Sequence, residues 1–133
     1  MFMRCVAVVL VAAGCAWGLA GCKKGPKADD TYKQNAQAVV TALDVVKADF
    51  EKKSPMQVTA KDYEAAQAAR KTWDAACTAE QKELESYKAL YYALVAYGNA
   101  VKAGGRVDAH SPDPIGPGTK ALDAAKKFLA EGK

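Results

Sequence analysis

Histidine is nearly missing from this sequence: His110 is the only one in 133 residues. A zinc or iron site needs clustered His, Cys or carboxylate ligands at defined spacings, and no second imidazole exists to help supply one. A serine-histidine-acid triad can be drawn on paper from Ser86 or Ser111 with His110, yet no nucleophile elbow or oxyanion motif accompanies it. His110 lies beside Ser111, Asp113 and prolines and reads as a solvated loop residue. A glycine-rich phosphate loop is missing too, because Ile115-Gly116-Pro117-Gly118 has neither the lysine nor the spacing. Glu80, Glu83 and Glu85 beside Lys82 and Lys88 read as a wet helix face, not as paired acids. These absences lead us to expect a protein that is not an enzyme and holds no metal.

An excess of one charge is also lacking. The chain carries 19 basic and 15 acidic side chains, a formal +4, spread through mixed-sign segments. No basic stripe alternates with stacking aromatics, so nucleic acid is not an expected partner. Strand-like alternation and internal repeats do not occur.

One stretch lacks charge altogether. Residues 5 to 22 form an uncharged run rich in Val, Ala and Leu, preceded by the lone Arg4. A spanning helix needs about 20 apolar residues, whereas this run contains Gly14, Gly18 and Gly21 and finishes in small residues. A short positive start, an apolar middle and a small-residue end are the order of a secretory signal. Leu19-Ala20-Gly21-Cys22 resembles the lipobox of bacterial lipoproteins; Ala12-Ala13-Gly14-Cys15 fits the pattern less well. The resemblance covers the first 22 residues only. It implies that residues 1 to 21 are cleaved as a signal peptide and that Cys22 carries a covalent diacylglycerol and an acyl chain such as palmitate, with no other cofactor. The implied first partner is membrane lipid, and the implied location is extracytoplasmic. By the sorting rule of enteric bacteria, Lys23 instead of Asp after the lipidated cysteine favours the outer membrane, facing the periplasm, in a Gram-negative cell.

Disulfide pairs are lacking as a consequence. Cys5 and Cys15 leave with the signal and Cys22 takes lipid, so Cys77 is the one thiol remaining. It falls on an apolar helical seam, where cysteine behaves as a small hydrophobe, and we expect it to be buried. Residues 22 to 29 form a polar tether whose Lys23, Lys24 and Lys27 either touch anionic head groups or stay solvated.

Proline and glycine are scarce where helices should lie. In "DDTYKQNAQAVVTALDVVKADFEKKSP", Tyr32, Ala36, Val39, Leu43, Val46 and Phe50 recur at a period of about 3.5. Asp29 and Asp30 suit the positive end of that helix, Lys52 and Lys53 the negative end, and Pro55 stops it. Asp44 with Lys47 and Asp49 with Lys53 are expected to pair on its wet face. A second seam runs through Tyr63, Ala66, Arg70, Trp73, Cys77, Glu80, Leu84, Tyr87, Tyr91, Leu94, Gly98 and Val101. Residues 59 to 103 contain no proline and only Gly98, so one continuous helix capped by Thr59 or Ser54 is expected. A Thr78/Gln81 capping-box pattern marks the rival, a break at residues 77 to 79. Gly104-Gly105 ends the segment, "RVDAHSPDPIGPG" is a loop, and residues 119 to 131 form a short helix with Ala121, Leu122, Ala125, Phe128 and Leu129 on one side.

The expected fold is all-α: a helical hairpin, or a small three-helix or four-helix bundle, occupying residues 30 to 133 as a single domain behind the cleaved signal peptide. Within "YKALYYALVAYGNAV", Tyr87, Tyr91, Leu94 and Tyr97 share a broad apolar face. If residues 59 to 103 are one helix, part of that face is expected to stay exposed and meet another copy or another chain; if the helix breaks near Thr78, the segments are expected to close into a monomeric bundle that buries it. The first expected function is a structural or protein-interaction role in the cell envelope, towards another copy or another envelope protein. The alternative is a helical binding module for a small hydrophobic or peptide ligand.

Overall fold

A computed structural model describes residues 28 to 105 and 113 to 133. The expected signal peptide, Cys22, most of the expected tether, His110 and Ser111 lie outside the described residues. Among the described residues four helices make a bundle: α1 (Asp30–Glu51), α2 (Met56–Ala76), α3 (Glu85–Lys102) and α4 (Gly116–Glu131), with a 3-10 turn at Gln81–Glu83 before α3. No strand occurs among the described residues. The most extensive packing is within two consecutive hairpins, α1 with α2 and α3 with α4.

The first helix forms as its pattern dictates. Asp29 Oδ1 accepts the Tyr32 amide at 2.8 Å, a side-chain cap on one of the free amides of the first turn. Tyr32, Ala36, Val39, Leu43 and Val46 are buried, joined by Val40, and Phe50 packs partly buried against them. The helix stops through paired backbone bonds, Lys53 N to Phe50 O at 3.2 Å and Ser54 N to Asp49 O at 2.9 Å. This is a Schellman arrangement, and it holds Lys53 at φ +55°. α3 ends on the same pattern, Gly104 N to Val101 O and Gly105 N to Ala100 O, but with glycine in the left-handed position.

The expected continuous helix is not formed. α2 ends at Ala76, and Cys77 takes an extended backbone, φ −75° and ψ 135°. Thr78 and Gln81 then bond reciprocally: the Thr78 amide donates to Gln81 Oε1 at 3.0 Å and the Gln81 amide to Thr78 Oγ1 at 3.1 Å. That capping box satisfies backbone groups without any glycine or proline. Tertiary contacts complete the break, because Leu84 and Gln81 are buried and Gln81 Nε2 donates to Asp29 Oδ2 at 3.2 Å, tying the joint to the start of α1. Helix propensity is a few tenths of a kcal/mol per residue and yields to such burial.

Smaller corrections concern ends and pairs. α2 begins at Met56 behind Pro55, earlier than a Thr59 cap requires, and α4 begins at Gly116. Asp44 does not pair with Lys47 but reaches Lys126 of α4 at 2.7 Å, while Lys47 meets Glu51 at 3.8 Å. Asp49 receives the Ser54 hydroxyl at 3.4 Å rather than Lys53, whose backbone turns away at its positive φ. Cys77 is half-buried, because it caps a helix end instead of riding mid-seam.

Candidate functional site

The face expected on α3 is divided by the structure. Leu94 and Tyr97 belong to the core, 2% and 0% exposed, and the Tyr97 hydroxyl shares a hydrogen bond with Thr119 of α4 at 2.9 Å. Tyr87 is half-buried: its ring lies 4.6 Å from that of Trp73, and its hydroxyl donates to Asp74 Oδ1 at 2.6 Å. Tyr91 is 40% exposed, stacked 6.2 Å from Tyr87, with the Arg70 guanidinium 4.8 Å above its ring. A cation held over an aromatic face contributes about 0.5–1 kcal/mol at an exposed site.

Sequence reasoning missed the two most exposed members of this surface. Tyr92 and Val95 are 58% and 46% exposed and form a ridge along α3. On one side a hollow of about 380 Å³ is lined by Tyr87, Lys88, Tyr91, Tyr92 and Val95. On the other, a smaller one of about 210 Å³ runs from the ridge to Pro114 and Pro117 at the start of α4. The signal was present in the paired tyrosines: adjacent helical residues point about 100° apart, so a face that buries Leu94 and Tyr97 cannot also bury Tyr92 and Val95. No family model, curated protein or solved structure matches the chain. What the surface can do therefore rests on its chemistry.

That chemistry is apolar and unreactive. Burial, then the bond to Asp74, pushes the Tyr87 phenol far above its ordinary value, and the same bond, followed by Lys82, holds the Asp74 carboxyl below its usual range. Burial and the Asp74 charge push the Cys77 thiol up to about 11, so the nucleophilic thiolate is scarce at neutral pH. Among the described residues no group of three or more His, Cys, Asp or Glu is placed to hold a metal. Another hollow, about 760 Å³, lies between the end of α1 and the start of α4 and is lined by Glu51, Asp113, Thr119, Lys120 and Asp123 with Ile115, Gly116 and Pro117. It is wide open and of mixed charge, without the convergent polar groups of a small-molecule site.

Proposed function

We propose that this chain is a membrane-anchored lipoprotein of the cell envelope, fixed by lipid on Cys22, whose helical domain has a structural or protein-interaction role rather than a catalytic one. The observation that carries the reading is the Leu19-Ala20-Gly21-Cys22 pattern at the end of an uncharged run. No described helix is long and apolar enough to cross a membrane, and α1 begins at Asp30, eight positions after Cys22. The aromatic ridge on α3 is the surface on which the interaction half draws, with Tyr91, Tyr92 and Val95 as its exposed apolar side chains. Two or three acyl chains, at about 0.8 kcal/mol per buried methylene, anchor a protein stably where a single chain does not.

The anchor is tested by Cys22→Ala. The variant should neither incorporate labelled palmitate nor partition into detergent, and labelling that persists or moves to Cys15 refutes the assignment. The second reading, a module binding a small hydrophobic or peptide ligand, draws on the apolar hollow beside Tyr91, whose size falls within the range of ligand pockets. It requires a bound molecule that survives purification and shows in the native mass spectrum.

A further inference from the structure

The outer side of α3 has a register of its own. Glu85, Lys88, Tyr92, Val95, Asn99 and Lys102 are all exposed and recur at alternating intervals of three and four residues. This is coiled-coil spacing, on the side that the bundle does not use. The six residues are also matched end to end. Counted outward from the midpoint between Ala93 and Leu94, Tyr92 faces Val95, Lys88 faces Asn99, and Glu85 faces Lys102.

We propose that α3 pairs antiparallel with α3 of a second copy of this chain, about a two-fold axis passing beside that midpoint. The proposal rests on the interaction reading above and names its partner. In a two-fold interface each contact occurs twice, so Tyr92 of each copy meets Val95 of the other, and the two hollows flanking the ridge receive the incoming side chains. Glu85 meets the other copy's Lys102 at both ends. Neither residue has an ion-pair partner among the described residues, so both charges are available. A parallel, in-register pair is disfavoured by the same residues, because it sets Glu85 on Glu85, Lys88 on Lys88 and Lys102 on Lys102.

The contact is small. With roughly 200 Å² to a tyrosine side chain, the exposed fractions of Tyr91 and Tyr92, 40% and 58%, contribute about 200 Å² per copy, against about 800 Å² in a stable complex. Pairing is therefore weak in dilute solution and depends on the local concentration that a shared membrane provides.

The test uses the full chain in its membrane, in a Cys77→Ser background, with two differently tagged copies. Mild oxidation should link Lys88→Cys in one copy to Asn99→Cys in the other at least ten-fold faster than Lys88→Cys to itself, since antiparallel pairing separates two residues at position 88 by about 16 Å along the helix. In a second arm, Glu85→Lys or Lys102→Glu alone should reduce crosslinking several-fold, and both in one chain should restore it. Each swap opposes the dipole of α3, so a merely structural effect makes the double variant worst instead of best. Equal linkage at Lys88→Cys with itself, or no recovery in the double variant, overturns the proposal. Linkage only to a different polypeptide overturns self-pairing but leaves the interaction reading standing, whereas no linkage to any protein defeats both.

Discussion

Gly98 of α3 lies against the Tyr63 side chain of α2, and replacing it with alanine sets two opposed effects against each other. Its missing Cβ leaves room for the Tyr63 hydroxyl, which donates to the Leu94 carbonyl at 2.8 Å. A Cβ built there collides with that oxygen and lies 2.9 Å from Tyr63 Cζ. In an isolated helix Gly→Ala stabilises by about 0.8–1.0 kcal/mol. Here the phenol must move, which forfeits a hydrogen bond of about 0.5–1.5 kcal/mol and adds overpacking of about 1–3 kcal/mol. The collision wins, so Gly98→Ala should lower stability by about 1–3 kcal/mol, a fall of about 4–8 °C in Tm per kcal/mol for a domain of this size. Urea unfolding of residues 23 to 133 measures it. In a Tyr63→Ala background the collision is absent, and the same substitution should raise stability by up to about 1 kcal/mol. The reversal of sign is the decisive result; stabilisation in the wild-type background, or one sign in both, refutes the reasoning.

Lys53→Gly should stabilise by about 0.5–1 kcal/mol in the same assay, because Lys53 sits at φ +55° in a stop where α3 uses Gly104; a loss of stability would show that its side chain matters more than its backbone. Cys77 should react with maleimide about 100-fold more slowly at pH 7 than a thiol of pKa 9.0, given its rise to about 11, and a rate equal to that of an exposed thiol contradicts the burial argued for it. Burial pushes the Tyr32 phenol up to about 12, so the unfolded chain releases this proton near pH 10 while the native state keeps it. In a Cys77→Ser background, which removes the decline that the thiol raised from 9.0 to about 11 would itself cause from pH 9, stability should therefore be level below that point and fall as pH rises from 10 towards 12, with buried Tyr97 adding the same sign. Thermal unfolding from pH 8 to 11.5 that shows no decline would remove Tyr32 as a linked group.

What could be read from the sequence depended on whether one force acted alone. The α1 seam was legible because every third or fourth residue is apolar and nothing competes: all but Phe50 of its six members are buried outright. The break after Ala76 was not decided by local signals. Alanine-rich sequence favours continuation, the Thr78/Gln81 box favours a stop, and the bond from Gln81 to Asp29, 52 residues away, tips the balance. No window of local sequence contains that bond. The ion pairs failed for a related reason, since Asp44 finds Lys126 across the bundle at a distance no intrahelical partner matches. On α3 the expected face was right about which residues are apolar and wrong about which are available. Leu94 and Tyr97 went inside, Tyr91 stayed out, and neighbouring Tyr92 and Val95, hidden in the sequence by the surrounding alanines, carry the exposed ridge.

The joint at Thr78–Leu84 also brings the ends of the folded chain together. Tyr32 near the start of α1 bonds Ser86 through their hydroxyls at 2.9 Å, and the Ser86 amide donates to the carbonyl of Lys133 at 3.1 Å. First helix, middle joint and last residue thus meet at one end of the bundle, making the path of the chain nearly a closed ring of two hairpins. Such a ring has no privileged starting point. Cutting it within residues 78 to 80 and bridging Lys133 to Ala28 with a short linker gives the order α3, α4, α1, α2, which keeps each hairpin intact and leaves every inter-helix contact available. The same closure bears on how the protein is handled: a reporter fused after Lys133 emerges beside Ser86 and Tyr32, at the start of α1.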